Sequence, residues 1–138
     1  MADKHTPAQR SYNMSRIRSK DTKPEMIVRK FLHTHGFRYR LHVKNLPGRP
    51  DIVLKKHRTV IFVHGCFWHC HEGCRYFVMP KSKQEYWRPK IERNLQRDIY
   101  AIWQLQELKW KVIIIWECEL KQNNYESTLS RLIDKINN

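Results

Sequence analysis

Eleven consecutive residues, His64-Gly65-Cys66-Phe67-Trp68-His69-Cys70-His71-Glu72-Gly73-Cys74, hold three of the four cysteines and three of the eight histidines. This density is that of a metal site. A structural Zn²⁺ takes four thiolate or imidazole ligands in a tetrahedron. Cys66, His71 and Cys74, joined by Cys118 from further along the chain, make a Cys₃His set. Spacing alone leaves room for Cys70 in place of one of them. The competing reading is a group of buried free thiols, against which stands the spacing of three cysteines four apart beside imidazoles.

His64 and His69 are left for other chemistry. A neutral imidazole can take a proton from an attacking water, and an imidazolium can stabilise charge on a phosphoryl group. Asp51, directly after Pro50, offers a carboxylate at the mouth of a strand, where it can hold a hard cation such as Mg²⁺. Taken alone it reads as well as a turn aspartate. The next apolar segment, however, delivers His64 to the neighbouring end of the same sheet. Glu25 is either a second carboxylate of that site or the acidic member of a helix capping box.

The remaining composition names the partner. The formal charge is +14, from 27 Lys and Arg against 13 Asp and Glu. A small domain so charged repels itself unless it works on a polyanion. Nucleic acid is expected first, a membrane surface second, and solubility alone last. Phe67-Trp68 and Tyr86-Trp87 lie among Arg75, Lys81, Lys83, Arg88 and Lys90, a mixture suited to stacking on bases. Packing over the metal loop is their other reading. No apolar run approaches the roughly 20 residues of a membrane span. Residues 1–10 lack the apolar stretch of a secretory signal, which implies a reducing compartment where disulfides are disfavoured.

The elements that must position these groups follow from pattern. Residues 1–20 form a basic arm whose Tyr12, Met14 and Ile17 could dock as a short helix on a partner. Residues 21–138 form one globular domain. Thr22-Lys23-Pro24-Glu25 opens a helix ending near Gly36. Alternation from Phe37 to Val43 predicts a strand, Asp51–Leu54 a second and Thr59–Val63 a central third. A capping box at Ser82–Glu85 opens a helix that turns Ile91, Leu95, Ile99 and Ile102 inward, with a kink or restart at Pro89. Val112–Trp116 is a fourth strand and Ser127–Ile136 a last helix. Trp103, Trp110 and Trp116 are expected in the core. The first three strands should be antiparallel and the fourth, after a helical crossover, parallel. The class is α/β, a mixed sheet between helices.

Three strings carry a resemblance: Leu46-Pro47-Gly48-Arg49-Pro50-Asp51, then Val60-Ile61-Phe62-Val63-His64-Gly65-Cys66-Phe67-Trp68-His69, then Leu108-Lys109-Trp110-Lys111-Val112 with Trp116-Glu117-Cys118. Together with Arg10-Ser11-Tyr12-Asn13-Met14-Ser15-Arg16-Ile17, they resemble the very-short-patch repair (Vsr) endonucleases over about residues 8–120. The resemblance implies a restriction-endonuclease-like, three-layer core with a structural zinc. It implies nicking on the 5′ side of the T in a T·G mismatch left by deamination of 5-methylcytosine. Asp51 would be the principal Mg²⁺ ligand, aided by the main-chain carbonyl of Val63, where the family commonly has Thr. His69 would be the base, assisted by His64 and Glu25. Zinc would sit on Cys66, His71, Cys74 and Cys118, although the loop carries one extra residue near Glu72-Gly73. Phe67, Trp68 and Trp87 would wedge into the DNA beside the mismatch. Met14, Arg16 and Ile17 of the arm would meet the opposite groove. The protein would act as a monomer in the bacterial cytoplasm, near the nucleoid, with mismatch-repair proteins as further partners and no membrane. Two other functions fit the same features: a zinc module that binds distorted DNA without cutting it, and a restriction-type nuclease that cuts both strands.

Overall fold

A computed structural model describes residues 22–79, 81–121 and 125–138. The basic arm, with Met14, Arg16 and Ile17, lies outside the described residues. Helix α1 spans Lys23–Thr34, β1 Arg40–Leu41, β2 Ile52–Leu54 and β3 Thr59–His64. Helix α2 spans Gln84–Glu107 and β4 Lys111–Trp116. A 3₁₀ turn, Glu117–Leu120, leads to α3 at Tyr125–Asn137. The sheet order is β1-β2-β3-β4, with β1 and β3 antiparallel to β2 and β4 parallel to β3. This is the expected mixed sheet.

Strand alternation divides the apolar residues between two faces. Ile52, Leu54, Ile61, Ile113 and Ile115 pack with Val28 and Leu32 of α1 and with Leu129, Leu132 and Ile136 of α3. Val53, Val60 and Phe62 face Leu105 of α2 on the other side. The result is three layers. β3 is covered on both faces, as its apolar run requires.

Several boundaries differ from expectation. Only Arg40–Leu41 of the 37–43 alternation pairs with β2; at its far end His42 turns into the left-handed region (φ 49) and the regular pairing stops. Ser82 does not cap α2; the cap is Lys83, itself left-handed at φ 57, without a side-chain hydrogen bond. The helix runs through Pro89 without restarting. Ile99 and Trp103 are exposed, at 58% and 55%. At about 100° per residue, Ile91, Asp98, Ala101 and Leu105 define the inner face, and both of these side chains fall off it. The helix cannot bury every apolar residue it carries. Among the described residues, no helix is long and apolar enough to cross a membrane.

Candidate active site and metal centre

The β2–β3 pairing brings the start of one strand to the end of the other, so Asp51 and His64 share an edge. A cleft of about 860 Å³ opens there, lined by Lys44, Arg49, Asp51, His64, His69 and Asp98 among others. The Asp51 carboxylate accepts a hydrogen bond from the Val63 N–H (2.8 Å). Burial pushes its pKa up to about 6, the Glu25 carboxylate adds to the rise, and the Val63 N–H opposes it.

Glu25 resolves its two readings by dividing them. Its backbone N–H is capped by the Thr22 hydroxyl at 3.4 Å. Its carboxylate is held instead by His42 Nε2 at 2.8 Å and by Arg29 at 3.4 Å. The side chain is almost wholly buried. Donor atoms of Glu25, His42 and Asp51 lie within 4.8 Å of one another and could hold a cation. Sequence reading missed His42, because it sat on the polar side of a strand pattern. Its left-handed backbone aims it at Glu25, while its N–H donates to the Asp51 carbonyl at 3.1 Å.

The turn before Asp51 is sterically tight. Gly48 has φ +74, and a Cβ there would stand 2.7 Å from Ala101 Cβ and 3.2 Å from the Phe62 ring. Gly48→Ala is therefore expected to destabilise the fold by about 2 kcal/mol or more, from the left-handed penalty plus the clash. Denaturant melts measure this; an unchanged midpoint contradicts the packing described.

Opposite Asp51, the His64 and His69 rings stack with centroids 3.8 Å apart and planes 5° from parallel. Burial, reinforced by nearby His69 and opposed by Asp98, lowers the His64 pKa to about 4. His64 Nδ1 is buried and has no hydrogen-bond partner among the described residues. His69 Nδ1 lies 2.6 Å from the Asp98 carboxylate. With Asp98 ionised, Nδ1 carries the proton and Nε2 is left as the acceptor. His64, His69 and Asp98 also bring donor atoms within 4.8 Å of one another. Asp98 was missed because it is 29 residues from its partner and looks like an ordinary helix carboxylate.

The loop after β3 gathers Cys66, His71, Cys74 and Cys118 with donor atoms within 4.8 Å of one another, a set able to hold a metal ion. Cys70, left-handed at φ 54, is not part of it. The His71 ring stacks on Trp116, with centroids 4.0 Å apart, and its Nδ1 lies 3.5 Å from Cys118 Sγ. Burial and the neighbouring Cys66 and Cys74 sulfurs push the Cys118 thiol up to about 12. Burial disfavours the Cys74 thiolate too, but the Tyr76 and Phe77 N–H groups and the neighbouring thiols outweigh it and lower that pKa.

Phe67, Trp68 and Trp87 meet in one half-exposed cluster. Phe67 lies 5.1 Å from Trp68 and 5.6 Å from Trp87, edge to face. Lys90 Nζ sits 5.4 Å from the Trp68 ring, and the Asn94 amide donates to the Trp68 carbonyl at 3.0 Å. The loop after β3 and α2 therefore present aromatics and a cation together, with Trp68 lining the cleft.

A family model described as DNA mismatch endonuclease Vsr matches residues 2–76. The chain is 48% identical over 135 residues to the type II nicking enzyme V.XorIIP of Xanthomonas oryzae, covering 97% of this chain and 98% of that protein. It is 47% identical over 137 residues to the type II nicking enzyme V.NmeAIP of Neisseria meningitidis, covering 99% and 97%. It is 46% identical over 121 residues to the DNA mismatch endonuclease Vsr of Escherichia coli, covering 88% and 77%.

Proposed function

The chain belongs to the DNA mismatch endonuclease Vsr family and is a mismatch-nicking DNA endonuclease; from that premise we propose that its substrate is the T·G mismatch produced when 5-methylcytosine deaminates. It nicks 5′ of the T and so starts very short patch repair. The carrying observation is the meeting in one cleft of the Asp51 carboxylate and the stacked imidazoles of His64 and His69.

Asp51 would hold Mg²⁺, aided by the main-chain carbonyl of Val63 and by Glu25. The fit is chemical: two carboxylates with donor atoms within 4.8 Å of each other suit a hard cation. When bound, the ion would neutralise charge on the phosphate and stabilise the leaving oxygen. His69 takes the proton of the attacking water on Nε2, and Asp98 holds the ring in that tautomer and stabilises the imidazolium formed. His64 stays neutral and supports the His69 ring, on which it stacks.

Cys66, His71, Cys74 and Cys118 would hold Zn²⁺. With Zn–S near 2.3 Å and Zn–N near 2.0–2.1 Å, a tetrahedral edge is about 3.5–3.6 Å. The Cys118–His71 separation of 3.5 Å suits that edge. A cation would also draw off the thiol protons that burial retains. Phe67, Trp68 and Trp87 wedge beside the mismatch, where stacking at ~1–3 kcal/mol per base offsets an unstacking cost of a few kcal/mol. Met14, Arg16 and Ile17 of the arm, residues 1–20, grip the other groove, outside the 21–138 endonuclease domain. The three-layer core is of the restriction-endonuclease kind. The protein works as a monomer in the cytoplasm alongside mismatch-repair proteins.

Strand-resolved nicking of a duplex panel tests the proposal. With Mg²⁺, one nick 5′ of the T in T·G and intact paired DNA are expected. Equal cutting of paired duplexes on both strands would make the chain a restriction-type nuclease. Tight binding without a nick would make it a recognition module.

The pH dependence follows from Asp51. Its carboxyl, raised to about 6, is protonated as pH falls through that value, and His64, lowered to about 4, stays neutral meanwhile. Protons and Mg²⁺ compete for the carboxylate, so the Mg²⁺ concentration for half-maximal nicking is expected to rise about tenfold from pH 7 to pH 5. A flat profile over that range contradicts the role given to Asp51.

A further inference from the structure

A second cavity, of about 320 Å³, lies at the other end of the β1–β2 pair from Asp51. Residues 36–40 form one wall, and Val53 with residues 55–57 forms the other. Arg38, Arg40, Lys55 and Lys56 stand around it, all exposed. Neither wall segment contains an Asp or Glu. Among the described residues, none of the four cations is in an ion pair. Phe37 and His57, one from each wall, meet with ring centroids 5.3 Å apart. The register pairs Arg40 with Val53, so strand pairing keeps the two walls together.

Four unpaired like charges around one hollow repel each other and gain only when an anion arrives. The cations are spread over two segments rather than converging with buried donors on one point. That suits a run of phosphates better than one small anion. The three residues of β2 span about 10 Å, which is about three base-pair rises at ~3.4 Å each. A duplex running along β2 from the cleft would bring its backbone phosphates to this cavity.

We infer that the cavity is a second phosphate-binding surface, one that holds the backbone of the duplex flanking the segment in the cleft. The inference rests on the chain being a DNA enzyme and on none of the catalytic roles proposed above. Arg38, Arg40, Lys55 and Lys56 make sequence-independent contacts there and fix the duplex relative to Asp51.

The test compares two double substitutions that remove equal charge. Lys55→Gln/Lys56→Gln acts at the cavity; Lys30→Gln/Lys135→Gln acts at exposed positions of α1 and α3. Binding of a fully paired duplex, with no divalent ion added, is measured across a salt series, with melting curves to check the fold. Losing two phosphate contacts should make the slope of log affinity against log salt shallower by about 1.8. The reference pair should leave it unchanged. An unchanged slope for the cavity pair, or an equal change for both pairs, overturns the inference. The probe carries no mismatch, so the result stands whether or not the T·G reading survives.

Discussion

Replacing Asp51 by Asn is expected to lower Mg²⁺-dependent nicking by at least roughly three orders of magnitude, the scale set by removing a group that stabilises transition-state charge. The same variant should be more stable than the parent at pH 7.5 without added divalent ion. The Asp51 carboxyl is raised to about 6 in the folded chain by burial. A carboxyl with a raised folded pKa contributes stability that is fully present below its unfolded value of 3.8. That contribution is lost as pH rises through about 6. Above that pH the fold carries an unneutralised carboxylate beside Glu25. Asn removes the charge, keeps an oxygen for the Val63 N–H, and should add on the order of 1–3 kcal/mol. Nicking kinetics and thermal melting measure the two effects. Retained nicking, or a variant less stable than the parent, contradicts the reading of Asp51 as a site held ready for a cation.

The second large effect belongs to the metal loop. Cys118→Ala removes the one proposed zinc ligand that lies outside the 66–74 loop. The loop carries Phe67, Trp68 and His69, so its release should disperse both wedge and base. Structural zinc contributes about 10–16 kcal/mol to isolated finger peptides. Only part of that is expected here, because apolar cores on both faces of the sheet stabilise the fold as well. A fall of roughly 10 °C or more in melting temperature is expected, with loss of bound zinc and of nicking. Cys70→Ala is the matched control, expected to keep the metal and melt within about 2 °C of the parent. Elemental analysis with melting curves separates the two. One zinc per chain retained by Cys118→Ala, or zinc lost from Cys70→Ala, contradicts the ligand set.

Element order and strand direction were legible in the sequence because each apolar run has a length and a connection that admit few pairings. The Cys/His-rich loop was legible because its residues stand close in one segment, but spacing left Cys70 open, and the fold gathers Cys66, His71, Cys74 and Cys118 instead. What sequence did not reveal depends on where side chains point across the fold. His42 lies on the polar side of a strand pattern, and only its left-handed backbone (φ 49) carries it to Glu25. Asp98 looks like any helix carboxylate until the loop after β3 folds back and sets His69 against it at 2.6 Å. Ile99 and Trp103 were expected inside because they are apolar; the inner face of α2 was already filled by Ile91, Ala101 and Leu105. Periodicity tells which residues share a face. It does not tell how wide a face the sheet can cover.

The arrangement expected with metals bound is a catalytic cation on Asp51 and a zinc that fixes the imidazoles opposite. It is tested most directly by crystals of the protein bound to a T·G duplex with Mn²⁺ in place of Mg²⁺, using anomalous scattering to tell manganese from zinc. The account predicts manganese about 2.0–2.2 Å from an Asp51 carboxylate oxygen, and zinc among Cys66, His71, Cys74 and Cys118. Manganese held by His64, His69 and Asp98, with Asp51 out of reach, would contradict it.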